Sequence, residues 1–280
     1  MNRYALALLL ALLLTACLST GRRVGFDYGT DRVDALAAYD RGWEQIMDQG
    51  RWTAAEASFR RAAEIDPDWV MGAALLARIT RDVRERESLL AIIEGNLHRV
   101  DTDTRLLVDV YVLNIRAANA RDRGEVMPEG FLEERRDLAV ENLGQFVERH
   151  PGEAYIQAEF VEWIHSASGP EEALTVLRGR VPDDLQAVPF FYAYAASLEA
   201  ELARHDAAEE LALAYAKALD DPEAPGLSML RATLLDARGE VAEALSFAEA
   251  AVALDPRHLL AVRLRDKLRA QLRESERDDD

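Results

Sequence analysis

The sequence predicts an all-α fold, a solenoid of about six helix hairpins with a C-terminal capping helix. Three observations predict it. Helix-stopping prolines are spaced by one length with insertions: Pro222 and Pro256 are 34 residues apart, Pro151 and Pro222 are 71 (two such lengths plus three), and Pro67 and Pro151 are 84 (two plus sixteen). The same small and large residues also recur at matching offsets before the first and last of these stops. No period-2 alternation of useful length suggests a strand.

The elements follow in order. Helical patterns at 34–49 and 53–65 are joined around Gly50, where a side chain would crowd the turn. In the second of them Ala55 and Ala62 share one face and let neighbouring helices approach. Phe59 fills the space between them, and Asp66-Pro67 ends the segment. The next pairs are read at 69–81 with 85–98 and at 102–121 with 130–149; Ala139, Leu143 and Phe146 hold the small–large–small positions only loosely. A fourth pair at 153–167 and 171–179 carries Ala173 and Leu177, and a fifth runs over 185–203 and 206–219. The sixth, 225–238 with 241–254, restores the full pattern in Gly239, Val241, Ala244, Ala248, Ala251, Leu254 and Pro256. A last helix at 258–274, with Leu259, Val262, Leu264 and Leu268, covers the end of the stack. The stretch from Ala120 to Phe131 reads as a polar loop, and the acidic residues 275–280 as a solvated tail.

This pattern resembles the tetratricopeptide repeat (TPR), whose unit is a 34-residue helix–turn–helix. The resemblance implies a right-handed superhelix over 34–274 with a concave face that accepts a peptide segment or helix of a partner. Some such domains clamp a C-terminal carboxylate through basic groove residues. The matching positions here are Asp40 and Glu44 in the first repeat and Met229 and Thr233 in the last, so a carboxylate clamp is disfavoured.

The first 16 residues read differently. One positive charge at Arg3 precedes an apolar run from Ala5 to Leu14, about ten residues where a spanning helix needs roughly twenty. The segment closes on Leu14-Thr15-Ala16-Cys17, and Cys17 is the only cysteine of the chain. These residues resemble the lipobox of bacterial lipoproteins. The resemblance implies that the Cys17 thiol receives a diacylglyceryl group, that cleavage follows Ala16, and that 17–33 serves as lipidated N-terminus and tether. Leu18 is not the Asp associated with inner-membrane retention, so the resemblance points to the periplasmic face of an outer membrane.

A net charge of −18 argues against nucleic acid and against electrostatic docking on anionic lipid. Membrane attachment therefore falls to the lipid. Among the five histidines none forms a recognisable metal spacing, and no nucleophile elbow or phosphate loop occurs. His150 and His205 fall near expected helix ends, where imidazoles meet terminal carbonyls. No metal, cofactor or catalytic residue is implied, and the reading is not an enzyme.

The aromatic run Phe190-Phe191-Tyr192-Ala193-Tyr194 reads chiefly as core, with a stacking ledge in the groove as the alternative; Trp43, Tyr111 and Trp163 fall in the same class. The candidate partner-binding residues are thus Asp40, Glu44, Tyr111, Trp163 and Tyr194. The expected function is a lipid-anchored scaffold that binds an envelope protein or peptide. The alternative is a small-molecule or lipid-binding accessory lipoprotein of a transport system, with a pocket lined by these aromatics. Oligomeric state does not follow from the sequence.

Overall fold

The computed structural model describes residues 25–278, with side chains through Glu274. The leader and Cys17 lie outside the described residues. Among those described are 13 α-helices and no strand. They pack as hairpins: α1 (Val33–Trp43) on α2 (Trp52–Ile65), α3 (Val70–Ile79) on α4 (Val83–Asn96), and α5 (Thr102–Arg123) on α6 (Phe131–Arg149). The array continues with α7 (Ala154–Ser168) on α8 (Pro170–Arg180), α9 (Pro189–Glu201) on α10 (His205–Leu219), and α11 (Pro225–Ala237) on α12 (Val241–Leu254). A final α13 (Leu259–Asp278) packs on α11 and α12 and covers the last hairpin. The chain is an all-α, TPR-like solenoid.

The helix boundaries follow local chemistry. Pro170, Pro189 and Pro225 each occupy a first turn, where a missing N–H costs nothing. Asp82 and Asp101 cap α4 and α5 by accepting backbone N–H bonds. Packing follows the small-residue pattern: Ala55, Ala62, Ala244, Ala248 and Ala251 are fully buried. A Cβ on Gly42 of α1 would come within 2.5 Å of the Phe59 ring, so the glycine lets α1 and α2 close on that aromatic.

Four boundaries differ from the sequence reading. α9 starts at Pro189 and not at 185, because residues 182–188 form turns that bury Leu185. α5 runs on to Arg123 and stops at Gly124 in the left-handed region, leaving only 124–130 as loop. α13 continues to Asp278, so the backbone of 275–278 is helical where a tail is expected. The described part of the expected tether is docked. Phe26 N–H and the Tyr28 hydroxyl donate to Glu153 at 2.7 and 2.6 Å, Trp69 Nε1 donates to the Tyr28 carbonyl at 2.7 Å, and the Thr30 hydroxyl donates to Asp66. Two aromatics in a short segment supply enough apolar surface to hold it on the solenoid.

The array also joins its two ends. The first hairpin touches the last repeats along a continuous seam. Gly226 N–H donates to the Gln49 carbonyl at 2.9 Å, and the Tyr215 hydroxyl donates to the Asp48 carbonyl at 2.7 Å. Arg51 pairs with Asp221 at 2.7 Å, and Arg257 pairs with Glu56. Asp255 accepts from Thr53 N–H at 2.8 Å and from its hydroxyl at 2.6 Å. The concave face expected of an open solenoid is therefore the inside of a ring.

Candidate functional site

The ring is drawn together at the end of α1. Five residues, Glu44–Asp48, widen into a π-helical turn, a local expansion of the helix common at functional positions. The turn aims Asp48 inward, where its carboxylate accepts from Tyr155 Oη of α7 at 2.8 Å and from Phe190 N–H of α9 at 3.0 Å. Asp48 is 4% exposed, and burial pushes its carboxyl up to about 6 against the pull of those two bonds. One acidic side chain thus ties three hairpins to a common point.

Inside the ring lies a cavity of about 530 Å³, within the usual range for a small-molecule pocket. Its walls come from both ends of the chain. Trp43, Met47, Trp52 and Phe59 belong to the first hairpin, while Met229, Leu230, Leu259 and Leu260 belong to the last repeats. Phe190 and Tyr194 of α9 complete the wall as a stacked pair, centroids 5.2 Å apart and planes 16° from parallel.

The polar groups are few and concentrated. Arg78 of α3 pairs with Glu159 of α7 at 2.5 Å, and its guanidinium lies 4.2 Å over the Tyr111 ring. Glu159 also accepts a short bond from the Tyr111 hydroxyl at 2.5 Å, so that buried carboxylate has two partners. One turn on, Glu162 lines the same cavity. Burial, reinforced by the Glu159 charge, pushes its carboxyl up to about 8, with Arg78 pulling the other way. His258, 3% exposed beneath Trp52, accepts from Ala261 N–H through Nδ1; burial pushes its imidazole down to about 4.

Of the five residues proposed from sequence, Tyr194 lines the cavity, and its hydroxyl shares a 2.9 Å bond with His165 Nδ1. Tyr111 does not reach it. The side chain is 0% exposed, sealed under Arg78, which makes it a core residue and corrects its assignment to the groove. Trp163 is half-buried, with the Arg135 guanidinium 5.2 Å from its ring, and is not part of the cavity wall. Asp40 and Glu44 are exposed and likewise outside the cavity.

The histidine expectations also change. His150 stands at the C-cap of α6 as expected, but its imidazole bonds Asp103 at 2.7 Å and packs on Phe26 and Phe146, while His205 opens α10 as its first residue. Sequence reasoning missed Asp48, Arg78, Glu162 and His258. The only local signal for Asp48 was its place just before Gly50; the others stand in ordinary helical surroundings.

No family model and no curated protein matches the chain. Among solved structures, the chain is similar to the TPR2AB-domain:pHSP90-complex of yeast Sti1. That likeness has 16% sequence identity and a TM-score of 0.33, covering 84% of this chain and 96% of that one.

Proposed function

We propose that this chain is a non-enzymatic binding scaffold of the bacterial envelope, held by lipid on Cys17 at the periplasmic face of the outer membrane. Its ligand site would be the chamber inside the ring. The observation that carries the chamber reading is the joining of the first and last repeats, which turns an open groove into an apolar cavity with five charged or imidazole side chains in its lining. Such a site fits the small-molecule or lipid-binding accessory role better than a long peptide groove. The lipobox residues Leu14-Thr15-Ala16-Cys17 support the anchor, and several acyl chains hold a protein stably where one does not.

A second reading keeps an envelope protein or peptide as the partner. The exposed acidic residues Asp40 and Glu44 of the first repeat favour it, as does the net charge of −18, which suits a basic partner surface.

Three measurements test these assignments. Cys17→Ser should move the protein from the membrane to the soluble fraction; a variant that stays bound defeats the lipid anchor. The neutral dye N-phenyl-1-naphthylamine should fluoresce in the wild-type chamber and lose at least tenfold in affinity in Ser197→Phe, whose ring would occupy it. Equal binding by both proteins, with unchanged circular dichroism, defeats the chamber. Affinity capture with and without Asp40→Lys plus Glu44→Lys addresses the second reading: an enriched basic partner lost with the reversal supports it, and identical captures count against it.

A further inference from the structure

Two acidic and two basic side chains line the chamber beside His258: Glu159 and Glu162, Arg78 and Arg263. Arg78 and Glu159 neutralise each other at 2.5 Å, with Tyr111 completing the carboxylate's bonds. His258 is the imidazole at the far wall, under Trp52 and beside Asp255. Arg263 also lines the chamber, from an exposed position of α13, and the charges that act on Glu162 are Glu159 and Arg78. Tyr194 approaches from α9, its hydroxyl already engaged by His165, which in turn pairs with Glu201 at 3.0 Å. Glu162 is left as a carboxyl group with no hydrogen-bond or ion-pair partner among the described residues, and it faces an aromatic wall.

Resting on the chamber reading above, we infer that the site takes a small organic cation, its ammonium group on Glu162 and its apolar body against Phe190, Tyr194 and Trp43. An ammonium draws the Glu162 carboxyl into its charged form, whereas a carboxylate ligand finds Arg78 already held by Glu159 and only the exposed Arg263 to meet. The aromatic faces suit a cation as well as they suit an apolar body. An ammonium also gives Glu162 the hydrogen bonds it lacks.

The proton balance gives the inference a signature. Burial holds Glu162 largely protonated at pH 7, since its carboxyl titrates near 8. A bound ammonium keeps its own protons and favours the carboxylate, so binding expels the Glu162 proton to the buffer. Affinity for the cation should then rise between pH 6 and pH 8, while a neutral ligand should show no such trend.

The experiment is calorimetric titration of the full chain at 150 mM salt with three probes of one shape: 1-naphthylmethylamine, 1-naphthylmethanol and 1-naphthoic acid. Phosphate and Tris buffers, which differ in protonation enthalpy, report the proton. The amine should bind at least tenfold tighter than the alcohol and release a proton. Glu162→Gln should abolish both the preference and the release while leaving alcohol binding and thermal unfolding unchanged. Equal binding of amine and alcohol, or tighter binding of the acid, overturns the inference and leaves the chamber intact. An amine preference that survives Glu162→Gln reports the acidic surface and overturns it too. If neither amine nor alcohol binds, the chamber reading falls with it.

Discussion

Asp48 and His258 are both buried at the ring seam and both carry displaced titrations, but of opposite consequence. Asp48 titrates near 6 in the folded chain against 3.8 unfolded, so it favours folding most below pH 3.8 and loses that contribution as pH rises through 6. Two pH units correspond to about 3 kcal/mol. His258 titrates near 4 against 6.5, so its contribution is complete above 6.5 and is lost as pH falls through 4. The two slopes oppose each other over the same window, and the wild type should show a shallow dependence there. Asp48→Asn, whose amide oxygen still accepts from Phe190 N–H while its NH2 can donate to the Tyr155 hydroxyl, should uncover the histidine: stability by urea titration should fall from pH 6.5 to 4 more steeply than in wild type. His258→Asn, a residue suited to cap α13, should uncover the aspartate, and stability should fall as pH rises from 4 to 6. Parallel curves for all three proteins would mean that neither group is buried in solution as described.

The helices were legible because their determinants are local. Ala55, Phe59 and Ala62 announce one hairpin within a few residues, and Ala244, Ala248 and Ala251 announce another. The seam between elements was not legible, since each of its contacts joins a residue pair with no pattern of its own. Arg51 and Asp221 are 170 residues apart, and Thr53 and Asp255 are 202. Glu162 was hidden differently, as one of 51 acidic residues on a helix that reads as ordinary. Even Gly50 carried only half its meaning. Its φ of 70° suits the hairpin turn, but a Cβ there would also meet the Gly226 nitrogen at 2.8 Å and His258 Nε2 at 2.9 Å. Gly239 occupies the corresponding turn of the last hairpin with a φ of 76° and open space around it. Gly239→Ala should therefore cost only the left-handed backbone penalty, about 1–2 kcal/mol. Gly50→Ala should cost that plus the seam, and the difference between the two urea midpoints measures the seam alone. Equal midpoints would show that the two ends of the array do not meet.

At the scale of the molecule the ring is a choice the repeats do not force, because each hairpin packs on its neighbours whether or not the ends touch. Closure rests on a few polar contacts, and Asp255 holds several: two bonds from Thr53 and one from Arg257 N–H at 2.9 Å. Removing its carboxylate breaks three bonds to donors that lie at the edge of solvent, a loss of about 1 kcal/mol for each bond. Arg51 adds a half-exposed ion pair to Asp221, which contributes little by itself but lies on the same seam. The double variant Asp255→Ala with Arg51→Ala should therefore open the ring while leaving the hairpins folded. Far-ultraviolet circular dichroism should stay at the wild-type value. Small-angle scattering should move from the radius of gyration of a compact chain of this length, about 19 Å, to a value several ångström larger. Opening also separates Trp43 and Phe59 from Met229 and Leu260, so the chamber should lose its neutral dye in the same variant. A double variant that scatters like wild type and still holds the dye would place closure in the apolar walls and not in the seam. Loss of the dye without expansion would instead mean that Asp255 shapes the chamber from within a ring that stays shut.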